Sequence, residues 1–397
     1  MKRILLIIGL FALVSSCSKN EIFNEENDRV GFDTYALRTK AGDSYVGGSK
    51  TTTSNIPDSS KFGVFAYFHP GNNGEAGAWS STVNDNRSNL MLNQWVQRVE
   101  PSSGTYAYYY PAEDSRYWPK NTTDRISFFA YYPYAANAFV VDENAASDGT
   151  GITLQDPDDD HYGYAHNPVG FPKFKFSVNQ DASQQVDFMI SDMCLNQSKK
   201  AGVLTGDGDV KFTFHHMLSQ IRIKTVDFEI ENDDVSIDSV EFKFIGVPVS
   251  GICTPSISGS PSANGYAAMN FTWTGLNSSN SSFTTSFYDD SGTDAEKQAA
   301  IMLMIPHTFN TDDASKDIAQ VSFKVTRANN SAGEHYEYVG NLTTSLASGG
   351  LTGWERNKIY NYTITVTLNG IDFSAEVEDW PEASTDVNTI KVDLENQ

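Results

Sequence analysis

Few residues of this sequence have the types and spacing that chemistry requires. His215 and His216 are adjacent, and because neighbouring residues of a strand point to opposite faces, we do not expect them to share a metal ion. The acidic run 156–160 offers the oxygen ligands that Ca²⁺ prefers, but it lacks the spacing and central glycine of an EF-hand loop and is more simply a solvated loop. The sequence also has no nucleophile elbow, HExxH helix, phosphate-binding loop or dinucleotide fingerprint. It therefore predicts no enzyme, no catalytic residue, no metal site and no cofactor.

The thiol of Cys17 is the one group for which the sequence predicts a chemical modification. Two basic residues and an apolar run from Ile4 to Val14 precede it, as in a secretory signal, and the run is too short to span a bilayer. Residues Leu13 to Cys17 resemble the bacterial lipobox. We therefore predict a signal peptide over residues 1–16 and a lipidated Cys17 whose acyl chains, palmitate among them, anchor the precursor in the outer membrane. An ordinary cleaved signal followed by an unmodified cysteine is the alternative.

Two further cysteines, Cys194 and Cys253, remain for the folded part of the chain. Three cysteines in all are too few for a disulfide framework. The sequence does not give the separation of the two sulfur atoms, so their pairing stays open, but two unpaired buried thiols are the simpler interpretation.

The composition indicates a folded, acidic protein. The chain has 397 residues and a formal net charge of −22, from 28 basic and 50 acidic side chains. It offers no basic surface to neutralise phosphates, which argues against nucleic-acid binding. Aromatic residues make up 12% and charged residues only 20% of the chain, which is not the composition of a disordered protein. The length is enough for two or three domains.

Apolar residues recur at every second position along much of the chain, as they do in strands with one buried and one exposed face. This alternation is found over residues 210–214, 240–244, 321–325 and, most clearly, 360–368. Two aromatic-rich runs of strand length, 61–68 and 126–133, lie earlier in the chain. With no long amphipathic helix and no short repeat, the sequence predicts an all-β fold.

Changes in composition divide the chain into five parts. Residues 17–54 are a polar leader and linker in which the alternation from Val30 to Phe32 is the candidate for a first strand. The stretch 198–209, with its clustered Gly, Lys and Asp, is the best candidate for a domain linker. We therefore predict the signal peptide, this leader, an N-terminal β-sandwich over 55–197, the linker, and a C-terminal β-sandwich over 210–397 that includes a terminal strand.

Tyrosines are densest over residues 106–118, where Tyr108, Tyr110 and Trp118 are candidate ligand-binding aromatics. Alternate residues of a strand face away from the core, and exposed rings stack on glycans or on a protein partner. The other interpretation is that both faces are covered, one by the core and one by a loop.

The order of these segments resembles the fimbrillin family, the Mfa-like type V pilins of Bacteroidales, over nearly the whole mature chain. The resemblance rests on short motifs in a set order, none of them diagnostic alone. They are Cys17, Lys61–Tyr67, Tyr117–Pro119, Ile126–Pro133, Val186–Met189, Phe212–Ser219, Ile305–Pro306, Tyr360–Val366 and Val377–Pro381. The resemblance implies two tandem Greek-key, transthyretin-like β-sandwiches behind a lipoprotein leader, in agreement with the strand and linker pattern.

The resemblance also implies a route of assembly. Such precursors reach the outer membrane as lipoproteins, and a trypsin-like protease then removes the leader with the first strand, which opens a groove for a strand of the next subunit. Among the basic residues Arg29, Arg38 and Lys40 of the leader, Arg38 is the preferred cleavage position and Lys40 the second. Many members have arginine in the place of Lys40, so the exact bond stays open, and an uncleaved leader with ordinary basic residues is the alternative.

The tail after Trp380 is the candidate donor strand, because Ile390, Val392 and Leu394 alternate with polar residues. It inserts into a neighbour or simply ends its own sheet. The resemblance thus implies a structural or adhesive pilus subunit that serves cell adhesion. Its partners are other pilin subunits in a head-to-tail polymer and, as a further option, a host or bacterial surface receptor. The alternative is a monomeric surface lipoprotein that binds glycans through exposed aromatics.

Overall fold

The computed structural model describes a chain built almost entirely of β-strands. The described residues are 29–36, 44–46, 49–51, 60–80, 86–102, 105–109, 116–136, 151–155, 170–199, 210–228, 235–261, 265–279, 281–285, 301–310, 312–313, 315–327, 330–342, 351–367 and 370–379. Within these ranges the regular elements are strands and one short 3₁₀ turn, Ala182–Gln184. The all-β prediction is confirmed.

The strands have the following bounds in chain order. They are β1 (Phe32–Ala36), β2 (Ser44–Val46), β3 (Ser49–Thr51), β4 (Lys61–His69), β5 (Met91–Ser102), β6 (Thr105–Tyr109), β7 (Arg125–Tyr132), β8 (Ile152–Gln155), β9 (Lys173–Ser177), β10 (Met189–Ser191), β11 (Met193–Gln197), β12 (Val210–His216), β13 (Ser219–Phe228), β14 (Val235–Ile245), β15 (Ser250–Ile257), β16 (Tyr266–Ala267), β17 (Met269–Asn277), β18 (Ser282–Thr285), β19 (Ile301–Met304), β20 (His307–Thr308), β21 (Ile318–Arg327), β22 (Asn330–Asn341), β23 (Gly353–Trp354), β24 (Lys358–Thr367) and β25 (Gly370–Asp379).

The largest sheet has nine strands. Its main order is β1-β12-β10-β7-β4-β5-β6, and β11 pairs with both β7 and β16. Three sheets of four strands have the orders β17-β15-β9-β8, β19-β13-β24-β25 and β18-β14-β21-β22. The pairs β2–β3 and β20–β23 stand apart from them. Antiparallel pairing prevails, but β1 runs parallel to β12 and β13 runs parallel to β24.

The two aromatic-rich runs form the neighbouring strands β4 and β7 at the centre of the largest sheet. Both faces of this part of the sheet are covered. On β4, Phe62 and Val64 pack into one apolar cluster, and Phe65 and Tyr67 pack into another. A strand that is buried on both faces needs no polar alternation, which explains why these runs are apolar nearly throughout.

One of these clusters, which we call the inner cluster, draws most of its residues from the largest sheet alone. It contains Val30, Phe32, Phe62, Val64, Ala66, Leu90, Met91, Val96, Trp118, Ile126, Phe128, Ala130, Tyr132, Met189, Cys194, Val210, Phe212 and Phe214. The sheet therefore curls around the inner cluster. The larger cluster covers the other face and continues into strands of the second half of the chain.

The predicted boundary between two sandwiches does not coincide with the division of the sheets. Most of the linker 198–209 lies outside the described residues, but β12, which follows it, pairs with β1 and β10 in the largest sheet. Likewise, β15 and β16 pair with β9 and β11 from before the linker. The alternation over 210–214 completes the inner cluster instead of opening a second sandwich. The tandem Greek-key arrangement stays a prediction.

The leader holds more structure than its composition indicated. The candidate first strand around Val30 and Phe32 is present as β1. The hairpin β2–β3 was not predicted, because its polar residues show no apolar alternation. Within the described ranges, no helix is long and apolar enough to cross a membrane.

Cys194 and Cys253 are both buried and unpaired, as the simpler interpretation predicted. Burial raises the pKa of both thiols. Both therefore stay neutral at physiological pH and serve as small apolar side chains of the two clusters.

Candidate functional site: the slot of the first strand

The segment of residues 29–36 makes backbone contacts on both of its edges. Its strand, β1, pairs in parallel with β12 over its full length. On the opposite edge the Val30 N–H donates to the Arg116 carbonyl at 2.9 Å, and Arg29 and Tyr117 form an antiparallel bridge. Residues 29–36 therefore lie between β12 and the segment that follows β6.

The side chains of Val30 and Phe32 lie in the inner cluster. Val30 is 1% exposed and Phe32 is 3% exposed. The Phe32 ring stacks on Phe212 with a centroid distance of 5.7 Å, and it meets Phe128 and Phe62 edge-on at 5.9 and 6.5 Å. Such aromatic pairs add to the free energy that burial of the ring contributes.

We call the space that residues 29–36 fill the slot. The β12 edge and the Arg116–Tyr117 segment form its walls, and the rings of Phe62, Phe128 and Phe212 form its floor. Each floor residue comes from a different strand, namely β4, β7 and β12. The slot therefore depends on the pairing of several strands of the sheet, and not on one sequence motif.

The slot can bind an extended chain. Without residues 29–36, the Val210 N–H would lose the Gly31 carbonyl, 2.9 Å away, and the Arg116 carbonyl would lose the Val30 N–H. Open strand edges of this kind pair readily with another strand. Burial of each apolar side chain adds about 1.5–3 kcal/mol to the docking of a strand.

The wall strand β12 is tied to its neighbour by two histidine–aspartate pairs. His216 is fully buried with its Nδ1 2.5 Å from Oδ2 of Asp187, and His215 Nε2 lies 3.0 Å from Oδ2 of Asp192. Burial raises the pKa of the Asp187 carboxyl, and the nearby His216 acts in the opposite direction. The prediction that the two rings point to opposite sides is confirmed, although His215 is only partly exposed.

The described residues contain no group of three or more His, Cys, Asp or Glu side chains placed to hold a metal ion. The acidic run 156–160, whose carboxylates could bind Ca²⁺, lies outside the described residues. What the described site offers is an apolar, strand-shaped surface with backbone donors and acceptors along its walls.

Comparison with known proteins decides the family. Residues 49–380 match the family described as Fimbrillin-like. The chain belongs to the fimbrillin-like family. This confirms the resemblance that the ordered motifs indicated. The family and the fold are those of fimbrial structural and adhesion proteins, which are not enzymes.

Two relatives illustrate how far the likeness extends. The fimbrium subunit Fim1C of Phocaeicola vulgatus is 25% identical over 225 residues, which are 56% of this chain and 50% of that protein. The match thus spans about half the length of this relative. The crystal structure of a fimbrial protein from Bacteroides vulgatus superposes with a TM-score of 0.52 at 20% identity, covering 89% of this chain and 100% of that one. At that identity the likeness concerns the fold alone.

The expectation that Trp118 binds a ligand at the surface is wrong for this fimbrillin-like chain. Its side chain is 1% exposed and packs edge-on against Phe128 at 5.8 Å, as part of the inner cluster. A ring buried in this way presents no face to a glycan. The covered-face interpretation holds for this residue, while Tyr108 lies in β6 opposite Arg98 and Tyr110 lies outside the described residues.

The remaining predicted site residues also lie outside the described residues. They are the lipidation site Cys17, the cleavage candidates Arg38 and Lys40, and the donor candidates Ile390, Val392 and Leu394. Their roles in a fimbrillin-like protein stay predictions.

Sequence reasoning missed the floor of the slot. It placed Phe62, Phe128 and Phe212 on strands but did not bring them to one site, because their spacing along the chain does not reveal which strands are neighbours. The only local signal was the alternation from Val30 to Phe32 in an otherwise polar leader. An isolated apolar pair of this kind, before the first long strand, points to a docked segment.

Proposed function

We propose that this protein is a structural or adhesive subunit of fimbriae that assembles by exchange of the strand in the slot. The observation that supports the proposal is the placement of Val30 and Phe32, which lie in the inner cluster and at or before the first described strand. One cut in the connection after Ala36 separates β1 from the other described strands, β2 to β25, without breaking any of them.

In this proposal the cut falls after Arg38 or Lys40. Strand β1 ends at Ala36 and β2 begins at Ser44, so both basic residues lie in the connection that directly follows the docked strand. A cut at Arg29 would leave the strand in the slot, because it precedes Val30 and Phe32. Only a cut after the strand would therefore allow the slot to become empty.

Refilling of the slot by another subunit then drives assembly. An incoming strand restores the backbone hydrogen bonds of β12 and the apolar contacts of the floor, which is β-augmentation. The contact joins the slot of one subunit to an extended strand of another, so it is head-to-tail and propagates into a fibre instead of closing. The tail with Ile390, Val392 and Leu394 is our candidate for the strand that this subunit donates to a neighbour.

The same proposal places the precursor at the outer membrane through a lipid on Cys17, and the processed subunit in a cell-surface pilus. An anchor subunit would keep the lipid and leader, whereas a stalk or tip subunit would lose both. The role in cell adhesion then follows from the fibre, with a host or bacterial surface receptor as the partner at its end.

N-terminal sequencing of fimbriae sheared from the cell surface tests this proposal. We expect the subunit to begin at Thr39 or Ala41, because cleavage after Arg38 or Lys40 removes the docked strand. Whole-cell membranes serve as the control, in which the unprocessed precursor should begin with an acylated Cys17. Sheared fimbriae whose subunits still contain residues 29–36 would contradict the exchange of this strand.

A further inference from the structure

The slot is shaped for an aromatic ring at one position. Phe32 is 3% exposed and lies among three other rings, one stacked and two edge-on, all within 6.5 Å between centroids. An aliphatic side chain in the same place would leave part of this space empty, and unfilled volume in an apolar core lowers stability.

We propose that the slot of this chain accepts a strand that carries Phe or Tyr in the place of Phe32, and therefore a strand from a different subunit and not the tail of a second copy. The inference rests on the proposed strand exchange and specifies its partner. The matching strand would also carry a β-branched or aliphatic residue in the place of Val30, two positions before the ring, and would run parallel to β12 as β1 does.

The tail of this chain does not fit that description. Residues 381–397 contain no Phe, Tyr or Trp. Its alternating apolar residues are the aliphatic Ile390, Val392 and Leu394, so every register that turns them inward puts an aliphatic side chain against the three floor rings. A second copy would therefore fill the slot less well than the protein's own first strand does.

Trp380 cannot supply the aromatic ring that the rest of the tail lacks. A register that puts Trp380 in the place of Phe32 puts a residue two positions away in the place of Val30, which is 1% exposed. That residue is Glu378 in one strand direction and Glu382 in the other. A buried carboxylate without a charged partner is strongly unfavourable, so both registers are excluded.

Peptide binding to the processed chain tests the inference. The chain is cleaved after β1, the leader fragment is removed by gel filtration in dilute urea, and the emptied protein is titrated with labelled peptides of residues 28–37 and of residues 381–397. We expect the tail peptide to bind at least about tenfold more weakly than the first-strand peptide, which corresponds to a loss of about 1.4 kcal/mol. A ring is then added to the inward face of the tail peptide by Ile390→Phe, Val392→Phe or Leu394→Phe. At least one of these three peptides should bind about tenfold more tightly than the unsubstituted tail peptide.

Matched controls separate this inference from the proposed function. Asp393→Phe adds the same ring to the opposite face of the tail strand and should not improve binding. If the unsubstituted tail binds as tightly as the first-strand peptide, or if Asp393→Phe gains as much as the inward substitutions, the ring requirement is wrong while strand exchange stands. If no peptide binds, including residues 28–37, the proposed function itself fails.

Discussion

Cleavage after β1 is expected to convert a chain that takes up no added strand into one that binds the first-strand peptide stoichiometrically. In the intact precursor the slot is filled by an attached strand, whose effective concentration is far above that of any free peptide. After limited trypsin treatment the leader fragment is removed by gel filtration in dilute urea, and a labelled peptide of residues 28–37 can take its place. Fluorescence anisotropy of the peptide and mass spectrometry of the cleaved chain measure the two steps together.

The double variant Arg38→Ala, Lys40→Ala should stay unable to bind the peptide under the same treatment, because the strand is never freed. Lys50→Ala, a basic residue in β3 beyond the connection, is the matched control and should behave like the parent chain. Uptake of the peptide by the uncleaved double variant, or a clean cut after Arg38 or Lys40 that brings no uptake, would count against the slot as the site of exchange.

Phe32→Ala is expected to lower the free energy of unfolding of the precursor by about 3–5 kcal/mol, the usual cost of replacing a buried phenylalanine by alanine. The ring is 3% exposed and contacts three further rings, so its loss leaves a space that β1 alone cannot close. Urea unfolding followed by tyrosine and tryptophan fluorescence measures the change.

The neighbouring residue provides the control for this substitution. Asp33 follows Phe32 in β1 and lies opposite Lys211 in the backbone pairing with β12. Asp33→Asn keeps the size of the side chain and should change the free energy of unfolding by no more than about 0.5 kcal/mol. A loss below about 1 kcal/mol for Phe32→Ala would show that the first strand contributes little to the inner cluster.

The strands were predictable where local pattern and burial agree. The aromatic run 61–68 became β4 (Lys61–His69), and the alternation over 360–368 became most of β24 (Lys358–Thr367). In both cases the pattern reports which faces of the strand are covered, and this is a property of the residues themselves.

The site was less predictable, because it depends on pairing between distant segments. Nothing in the sequence near Phe32 indicates that its partner strand begins at Val210, and the linker prediction even placed that strand in another domain. The burial of Trp118 was left open for a related reason. Its place in a tyrosine-rich stretch is compatible with an exposed or a covered ring, and contact with Phe128 of β7 buries it.

Hydrogen exchange at the Val210 amide tests the central claim most directly. This N–H donates to the Gly31 carbonyl in the precursor, at 2.9 Å, so it reports whether a strand lies in the slot. We predict slow exchange in the precursor, fast exchange in the cleaved chain emptied of its leader, and slow exchange again in fimbriae sheared from the cell surface, although their subunits lack residues 29–36. An amide that exchanges as fast in the fimbriae as in the emptied chain would contradict the account.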